Sequence, residues 1–491
     1  MNNRKWKFFA GGAFHDPATG EWMESFNPTT GTVWANIPRC SEADVERAVL
    51  SAHEAFENGP FSRMGAADRG RLLRRIADVL RRNADALGLI ETIDNGKDLQ
   101  GIQSGLRGWL TDSFDYYAGL ADKIEGANIP VDVPNVFNYT RREPFGVVGC
   151  ITAWNSPLLI AIWKISAAIA AGNTVVIKPS EQASVSTLAM VEFLQEADLP
   201  PGLINVVTGE AETGAALVRH PLVRLVSFTG GGPGGRAVAQ QAGACLKPVI
   251  LELGGKSPQI VLDNADLELA ARGIVSGIFP ATGQSCIAGS RVLVHHDLHD
   301  ALVSRIIALT EKAVVGDPAS PDAHVGPIAN KPHFDRVLKA IETANADGAT
   351  CALGGGTRHP EFCDGWFIEP TVFTDVTPDM AVAREEIFGP VLAVLPVRDD
   401  DEAAAIANDS DFGLAAGIWS KDSARAMRLA HRIGAGTVYI NNYFASAPQS
   451  PVGGFKASGY GRENGIEGLL AFTQTKSVWL DLAPHQAEPF A

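Results

Sequence analysis

The sequence predicts an α/β protein built on a doubly wound parallel sheet, with a second α/β domain and a small β flap. Three observations predict it. Between residues 145 and 253, short apolar segments alternate with segments of helical periodicity, which is typical of a parallel sheet with right-handed crossovers. A similar alternation resumes beyond Lys256 and continues through Gly417. The chain has 491 residues, more than one hydrophobic core holds, so we expect about two to four domains.

The N-terminal part is predicted to be helical, and it is followed by a hairpin. Apolar residues recur at steps of three and four from Leu73 to Leu87, with arginines on the other face, which predicts an amphipathic helix covering a core. Two short extended runs around turn residues between Ile124 and Thr140 predict a hairpin with a free edge. Such an edge is suited to a contact between copies of the chain.

The central region supplies the predicted sheet. Its strands are predicted at residues 147–153, 174–177, 204–207, 225–228 and 249–253. Its helices are predicted at residues 157–170, 185–196, 212–218 and 233–242. A last strand is predicted at residues 476–482, where it could pair with a neighbouring chain.

Polar and glycine residues follow each predicted strand of this sheet. They are Asn155, Lys178, Glu181, Gly209, Thr229 to Gly232, and Glu252. Ligands of open α/β sheets bind at the carboxyl ends of the strands, so a shared dinucleotide crevice explains all of these positions together.

One glycine pattern needs a restricted interpretation. Gly230, Gly232 and Gly235 fit G-x-G-x-x-G before a helix, and Glu252 follows about twenty residues later. The dinucleotide fingerprint belongs after the first strand of its unit, whereas this match follows a late strand. We therefore expect the glycines and the helix N-terminus to cradle phosphate, but we do not expect Glu252 to hold a ribose.

Composition and charge exclude several classes of function. The formal net charge is −15, which opposes nucleic acid or an anionic membrane as a partner because both need a cationic face. The first apolar stretch is too short for a signal sequence, and the longest apolar region is interrupted by Asn155, Lys164 and Asn173. We therefore expect a cytoplasmic protein.

The cysteines indicate a nucleophile rather than a metal site. All six lie far apart, without a Cys-x-x-Cys pair, so we expect no bound metal and no disulfide framework. Any one of them alone is most simply a buried, inert side chain. Cys286, however, lies between Gly283 and Gly289, and Glu252 lies in a second glycine-flanked segment. A thiolate attacks carbonyl carbon and a carboxylate of raised pKa takes a proton from water, so the two together suggest covalent catalysis followed by hydrolysis.

Nine segments together resemble the NAD(P)-dependent aldehyde dehydrogenase superfamily, in order and over nearly the whole chain. They are Asn27-Pro28-x-Thr30-Gly31, Asp94-Asn95-Gly96-Lys97, Trp154-Asn155-x-Pro157-Leu158, Lys178-Pro179-Ser180-Glu181, Phe228-Thr229-Gly230, Leu251-Glu252-Leu253-Gly254-Gly255-Lys256, Gly283-Gln284-x-Cys286, Glu386-Ile387-Phe388-Gly389-Pro390 and Gly459-x-Gly461-Arg462-Glu463.

The resemblance implies a role for each catalytic candidate. Cys286 would be the nucleophile, the Asn155 amide and the Cys286 backbone N–H would bind the oxyanion, and Glu252 would activate the water that releases the acid. Lys164 and Glu463 match positions proposed to relay protons; the alternative for them is a buried ion pair.

The resemblance also implies NAD as the cofactor. The implied cofactor-binding residues are Ile151, Thr152, Ala153, Trp154, Lys178, Ser180, Glu181, Gly209, Gly214, Phe228, Thr229, Gly230, Gly231, Leu253, Glu386 and Phe388. Lys178 and Glu181 would hold the adenosine ribose, Glu386 the nicotinamide ribose, and Phe388 the nicotinamide ring. A carboxylate at Glu181 repels a 2′-phosphate, so NAD is expected over NADP.

The chain departs from the family at four positions. Gly231 stands where many relatives carry serine, so the phosphate turn lacks a hydroxyl. Ser156, Ser446 and Val452 stand where relatives often carry aromatic side chains in the substrate channel, while Trp163 is kept. These smaller walls favour a bulkier or branched aldehyde.

The resemblance implies three domains and a homo-dimer or homo-tetramer. We expect an NAD-binding domain at 1–121 and 145–254, a catalytic domain at 255–457, and an oligomerisation hairpin and strand at 122–144 and 473–491. The implied partner is a small-molecule aldehyde, which we expect to be oxidised with NAD and water to a carboxylic acid.

Three alternatives stay open. A CoA-acylating semialdehyde dehydrogenase would use a thiol instead of water, and such enzymes generally lack the general-base glutamate. A structural or binding relative would reuse the fold without turnover. A cysteine hydrolase would cleave esters without a nucleotide, but the sequence offers its thiol no obvious histidine partner.

Overall fold

The computed structural model describes residues 4–358 and 364–483. Cys363 and the predicted flap residues 484–491 lie outside these ranges. The first elements are β1 Arg4–Lys5, β2 Phe8–Ala10, β3 Ala13–His15, β4 Trp22–Asn27, β5 Thr32–Pro38, α1 Glu42–Glu57, α2 Ala66–Arg82, α3 Ala84–Asn95, α4 Leu99–Arg107, α5 Asp112–Leu120, β6 Asn128–Ile129 and β7 Val136–Pro144.

The central elements alternate strand and helix. They are β8 Val147–Thr152, α6 Pro157–Ala171, β9 Thr174–Pro179, α7 Val185–Phe193, β10 Ile204–Val206, α8 Ala211–Arg219, β11 Val223–Thr229, α9 Gly232–Ala244 and β12 Val249–Glu252.

The remaining elements form the second half of the chain. They are β13 Pro258–Val261, α10 Leu267–Ser276, β14 Arg291–His295, α11 His299–Thr310, α12 Lys331–Ala346, β15 Thr350–Leu353, β16 Thr371–Thr374, α13 Ala381–Arg384, β17 Val391–Val397, α14 Asp400–Asn408, β18 Phe412–Gly413, β19 Ala415–Trp419, α15 Ser423–Ala430, β20 Thr437–Ile440, β21 Phe455–Lys456, β22 Gly459–Tyr460, α16 Gly465–Ala471 and β23 Thr473–Asp481. Short 3₁₀ turns occur at Pro60–Arg63, Leu194–Ala197, Pro280–Gly283 and His296–Leu298.

The first large sheet confirms the predicted doubly wound architecture. Its eight strands run in the order β22-β12-β11-β8-β9-β10-β2-β3. The five central strands, β12 to β10 in that order, are parallel neighbours. Strands β8 and β9 are buried at every position, as expected when helices cover both faces of a parallel sheet. All five predicted strands are present, and their carboxyl ends meet at one edge.

A second sheet confirms the second α/β block. Its seven strands run in the order β15-β16-β17-β14-β13-β19-β20. The pairs from β16 to β20 are parallel, and only β15 joins in the antiparallel sense. The segment between β13 and β14 carries Cys286, so this sheet supplies one wall of the site described below.

Two predicted helices are wrong in extent. The single helix expected from Leu73 to Leu87 is two helices, because α2 ends at Arg82 and α3 begins at Ala84. Between them the Asn83 side chain donates to the Val79 carbonyl at 3.0 Å, a local bond that competes with continued helix. The helix expected to reach Glu196 ends at Phe193, and a 3₁₀ turn continues it.

The hairpin and the terminal strand form a three-stranded flap. β6 pairs antiparallel with β7, as the predicted hairpin requires. β23 pairs with β7 of the same chain over its whole length, from Thr473 opposite Pro144 to Asp481 opposite Val136. The terminal strand therefore has one partner within its own chain, and it lies at the outer edge of the flap.

Helix α6 is the best-covered helix of the central region and determines where the site begins. Thirteen of its fifteen residues are buried, and it packs against α5. Pro157 occupies its first turn, where the missing N–H costs nothing. Asn155 and Ser156 precede this fixed start, so the sheet edge and the helix together set their positions. None of the helices in the described part of the chain is both long enough and apolar enough to cross a bilayer.

Candidate active site

A cavity of about 1840 Å³ lies at the carboxyl ends of the first sheet and extends to the second. Most of the predicted site residues line it: Cys286, Glu252, Asn155, Glu463, Ile151, Thr152, Ala153, Trp154, Lys178, Ser180, Glu181, Gly214, Phe228, Thr229, Gly230, Gly231, Leu253, Glu386 and Phe388. Lys164 and Gly209 are not among its lining residues. The fold thus brings residues from distant segments to one space.

The loop that carries Cys286 requires a glycine at position 283. Gly283, at φ +66°, lies so close to the carbonyl of Gly389 that a Cβ atom would overlap it. This contact joins the Cys286 loop to the turn that carries Glu386 and Phe388. A side chain at position 283 would therefore push these two segments apart.

The environment of Cys286 favours the protonated form of its thiol. It is half-buried, and its pKa is raised to about 12 by desolvation first and by the charges of Glu386 and Glu252 next. Bonds from backbone groups of Cys286 and Ile287 oppose this increase. The thiol must therefore lose a proton before it can act as a nucleophile.

Asn155 is held beside the same loop. Its Nδ2 donates to the carbonyl oxygen of Gln284 at 3.0 Å. Gln284 is itself fixed, because it accepts from the Ala329 backbone at 2.9 Å and donates to the Pro327 carbonyl at 3.3 Å. An amide nitrogen has two N–H groups, and this bond uses one of them. Sequence reasoning missed Gln284, although it lies in the segment that identified Cys286.

Glu252 ends β12 with a carboxyl oxygen that has no partner. The side chain is 7% exposed, and Oε1 is buried without a hydrogen bond. Its pKa is raised well above the ordinary value by burial and then by the charge of Glu463, while Lys164 and Arg462 oppose the increase. A buried acceptor left free in this way is ready to bind or abstract a proton.

Lys164 and Glu463 form a buried ion pair behind Glu252. The Lys164 ammonium is fully buried, contacts the Glu463 carboxylate, and also donates to Ser227 Oγ at 2.7 Å. This is the ion pair expected as the alternative to a proton relay. Only Glu463 of the two lines the cavity.

Charged groups at the far end of the cavity are already engaged. Lys178 Nζ donates to the Pro179 carbonyl at 2.9 Å and lies 3.5 Å from Glu181 Oε2. Gly214 lies against the Lys178 side chain, where a Cβ would make ordinary contact at 3.5 Å. Gly209, at φ +149°, leaves no room for a Cβ beside Thr213, so this position requires glycine.

The residues at this end fit a dinucleotide. Thr152 Oγ1 and Thr229 Oγ1 are buried without hydrogen-bond partners, although both residues line the cavity. Helix α9 is thirteen residues long and begins beside Thr229 with Gly231 as its N-cap, so the free N–H groups of its first turn lie at the same place. A Cβ on Gly231 would make ordinary contact with Pro233 Cδ at 3.9 Å. Free hydroxyls and a helix N-terminus are suited to ribose and phosphate oxygens.

A turn after α13 supplies the third wall. Glu386 Oε1 accepts from the Gly255 backbone N–H at 2.8 Å, and burial raises the Glu386 pKa. Phe388 adopts φ +61°, which is unusual for a non-glycine residue, and its ring lies edge-on to Trp154 at 5.3 Å.

Sequence reasoning missed the residue that supports this strained turn. His333 Nε2 lies 2.7 Å from the Phe388 carbonyl oxygen, and desolvation lowers the His333 pKa to about 4. The neutral ring therefore donates to that carbonyl. No motif in the sequence signals this contact, because the two residues are 55 positions apart.

The predicted channel residues also line the cavity, together with a lysine that sequence reasoning left unused. Ser156, Ser446, Val452 and Trp163 all contribute to its wall. Lys97, from the quoted Asp94-Asn95-Gly96-Lys97 segment, joins them and donates from Nζ to Ser156 Oγ at 2.6 Å.

One group of side chains elsewhere has the arrangement of metal ligands. Within residues 4–358 and 364–483, His295, His296 and Asp297 place their ligand atoms within 4.8 Å of one another. None of the three lines the cavity.

Comparisons with known proteins agree with one another. The model of the aldehyde dehydrogenase family matches residues 14–478. A betaine aldehyde dehydrogenase from Brucella anthropi is 44% identical over 475 residues, which cover 96% of this chain and 97% of the relative.

Solved structures match over the same length. An NAD⁺ complex of an aldehyde dehydrogenase from Bacillus cereus has a TM-score of 0.95 and 40% identity, covering 97% of this chain and 96% of that one. A betaine aldehyde dehydrogenase from Staphylococcus aureus in complex with NAD⁺ has a TM-score of 0.97 and 37% identity, covering 99% and 97%.

Proposed function

Because this chain belongs to the aldehyde dehydrogenase family, we propose that it oxidises an aldehyde to a carboxylic acid with NAD, through a covalent intermediate on Cys286. One observation carries the proposal. The Cys286 thiol, the Asn155 amide and the unpartnered oxygen of Glu252 come from three separate segments and line one cavity. A nucleophile, an oxyanion donor and a base are the three groups that this reaction requires.

The first step joins the sulfur to the carbonyl carbon of the aldehyde. The thiol gives up its proton to water in the cavity, and the thiolate attacks the carbon. The electrons of the carbonyl π bond move to oxygen and form an oxyanion. The second N–H of Asn155 and the Cys286 backbone N–H would bind it, and each such donor contributes about 3–4 kcal/mol.

The oxidation leaves a thioester on Cys286. When bound, NAD supplies the acceptor for the hydride that leaves the tetrahedral carbon as the carbonyl re-forms. This chain would hold NAD with Lys178, Glu181, Thr229 and the α9 N-terminus at the adenosine and phosphate end. Glu386 and Phe388 would hold its other end. Glu181 is matched to a free 2′-hydroxyl because its negative charge repels a phosphate there.

Glu252 then serves as the base for hydrolysis. Its carboxylate takes a proton from water, the hydroxide adds to the thioester carbon, and the Cys286 thiolate leaves as the acid forms. The raised pKa of Glu252 suits this task, because a general base works best when its pKa lies near the operating pH. Because Glu252 is available as a general base, water is favoured over CoA as the acyl acceptor.

The relatives' names suggest one substrate to assay. Both a curated relative and a solved structure are named betaine aldehyde dehydrogenases. A trimethylammonium aldehyde therefore belongs in any substrate panel, beside aliphatic, aromatic and semialdehyde compounds.

The test is NADH formation with that panel, using the protein, Cys286→Ser and a cysteine control. We expect Cys286→Ser to lose both dehydrogenase and esterase activity by a factor of about 10³ or more, because a hydroxyl is a far weaker nucleophile than a thiolate. Cys245→Ser is the matched control, since Cys245 is exposed and does not line the cavity. Full aldehyde oxidation by Cys286→Ser would overturn the proposal. The proposal would also be overturned if the unsubstituted protein formed no NADH with any aldehyde of the panel.

We also assign a function in this reaction to each region of the chain. We assign 1–121 and 145–254 to nucleotide binding and 255–457 to catalysis. We assign the flap to association with a second copy of the chain. Its strands expose large apolar side chains: Ile129 37%, Phe137 39%, Trp479 59% and Leu480 50%. Light scattering after gel filtration should report a dimer or a tetramer, and a monomer would contradict this assignment.

A further inference from the structure

The carboxyl ends of the strands in the second sheet lie away from the cavity. The cavity is lined by residues that precede these strands, such as Cys286 before β14 and Phe388 before β17. β14 and its parallel neighbours β13 and β17 end on the opposite side of the sheet, where β14 finishes at His295. Ligands of parallel α/β sheets bind at the carboxyl ends of strands, so this side of the second sheet is suited to a further ligand.

Three consecutive side chains at this side have the arrangement of metal ligands. His295 ends β14, and His296 and Asp297 begin the 3₁₀ turn that leads to α11. The Asp297 carboxylate faces both rings, with Oδ2 at 3.6 Å from His295 Nδ1 and Oδ1 at 3.2 Å from His296 Nε2. Two ligand atoms that each lie about 2.0–2.2 Å from a zinc ion are roughly 3.4 Å apart, so both separations fit one ion.

Hydrogen bonds to the backbone fix which ring nitrogens carry lone pairs. His296 Nδ1 lies 3.4 Å from the Val397 carbonyl oxygen, which only accepts, so in the neutral ring Nδ1 carries the proton and Nε2 keeps its lone pair. His295 Nδ1 accepts from the Asp297 backbone N–H at 3.4 Å, so this nitrogen also carries a lone pair. With neutral rings, two lone pairs and a carboxylate therefore face one another, and a cation between them would replace this repulsion with attraction. A histidine held at one nitrogen by a carbonyl is also the usual state of a metal ligand.

Two further carboxylates lie near the histidines. Asp263 follows β13, and its pKa is lowered first by its bond from Arg425 and in smaller part by the charge of His295. Asp399 follows β17, and its pKa is lowered first by the backbone N–H of Glu402 and in smaller part by His295. These carboxylates come from the ends of the two neighbouring strands, and they favour a cation over an anion at this place.

We propose that His295, His296 and Asp297 bind a divalent transition-metal ion of the Zn²⁺ class, in a site separate from the reaction. Two imidazoles and a carboxylate suit Zn²⁺ or Ni²⁺, whereas Mg²⁺ and Ca²⁺ prefer sets of oxygen ligands. Because His296 and Asp297 are exposed, water completes the coordination. The sequence prediction of no bound metal considered the spacing of the cysteines, and this ligand set uses none.

Isothermal titration calorimetry with Zn²⁺ tests the proposal on the full chain. His296→Gln removes one ligand, and His431→Gln is the matched control because His431 is exposed and lies outside the cluster. We expect the unsubstituted protein and the control to bind Zn²⁺ at this site at least tenfold more tightly than His296→Gln. Thiols such as that of Cys286 also bind zinc, but they contribute equally to all three proteins. Equal stoichiometry and affinity in the three proteins would overturn the proposal.

Protection from modification tests the same site without a substitution. Diethylpyrocarbonate acylates accessible imidazoles, and peptide mapping locates the products. Zn²⁺ should slow the acylation of His296 at least tenfold and leave that of His431 unchanged, whereas Mg²⁺ should change neither. Equal acylation of His296 with and without Zn²⁺ would overturn the proposal, and this measurement decides if His296→Gln does not fold. Neither measurement depends on turnover, so failure of the proposed function would leave both results interpretable.

Discussion

The two ends of the cavity differ in how their charged groups are partnered. At the reacting end, Glu252 keeps a buried oxygen without a hydrogen bond, and the Cys286 thiol has a pKa raised to about 12. At the nucleotide end, Lys178 already pairs with Glu181 and the Pro179 carbonyl, and the buried hydroxyls of Thr152 and Thr229, which lack partners, are neutral.

This difference indicates which end of the cavity changes charge during the reaction. An unpartnered buried carboxyl costs stability, so its persistence at the reacting end indicates a group that exchanges protons. The paired charges at the other end need only bind and orient. Substitutions at the reacting end should therefore act on kcat, and substitutions at the nucleotide end on the KM for the cofactor.

Glu252→Gln should have the largest effect on turnover. The amide cannot take a proton from water, so steady-state kcat should fall by about 10²–10⁴ while an initial burst of NADH remains. Stopped-flow absorbance resolves the burst from the steady rate. Glu386→Gln is the matched control, because it removes another buried carboxylate from the cavity and should raise the KM for NAD. Equal loss of burst and steady rate in Glu252→Gln would contradict a role confined to hydrolysis.

Asn155→Ala should reduce the first chemical step. Losing one oxyanion donor should lower kcat by about 10²–10³, with little change in the KM for NAD, since the amide faces the aldehyde and the cofactor is held elsewhere. Single-turnover NADH formation measures this step. Ser446→Ala, a small change in the same wall, should leave the rate nearly unchanged. A larger effect on the KM for NAD than on the burst rate would contradict the assignment of Asn155 to the reacting end of the cavity.

Glu181→Gln should act at the nucleotide end alone. Without the carboxylate, the KM for NAD should rise about tenfold, which corresponds to about 1.4 kcal/mol, while the KM for NADP falls because the repulsion is gone. The kcat at saturating NAD should be unchanged. Steady-state kinetics with both cofactors provides the test, and a fall in kcat with both KM values unchanged would move Glu181 out of the binding site.

Glu463→Gln should produce the smallest effect, a shift in pH dependence. The Glu463 charge raises the pKa of Glu252, so its removal should let Glu252 ionise at lower pH. The acidic limb of kcat should move down by on the order of one pH unit. Lys164→Met removes a charge that lowers the same pKa, so its limb should move up. Shifts in the same direction for both variants would show that Lys164 and Glu463 act through structure alone.

The five central strands of the first sheet follow from sequence, because a parallel strand covered on both faces is a continuous apolar run, as β8 and β9 are. The strands β2, β3 and β22 do not follow, and β2 and β3 lie in the N-terminal part that was predicted to be helical. The Cys286 loop and the Glu252 segment follow as well, since glycine flanks mark both. The break at Asn83 does not follow, because the apolar period of three and four continues through it while one side-chain bond ends the helix.

Contacts between distant segments were also beyond prediction. His333 reaches the Phe388 carbonyl across 55 positions, and Gln284 is positioned by carbonyl and amide groups of Pro327 and Ala329. No local pattern records either contact. Lys97 was visible in its motif, but its place at the cavity wall depends on the turn at Gly96.

The most direct test of the account is the mass of Glu252→Gln after a single turnover with aldehyde and NAD. The variant should gain the mass of one acyl group, located by peptide mapping on Cys286, and Cys286→Ser/Glu252→Gln should gain none. An acyl group on another residue, or steady oxidation without any covalent adduct, would contradict the central claim that Cys286 is the nucleophile.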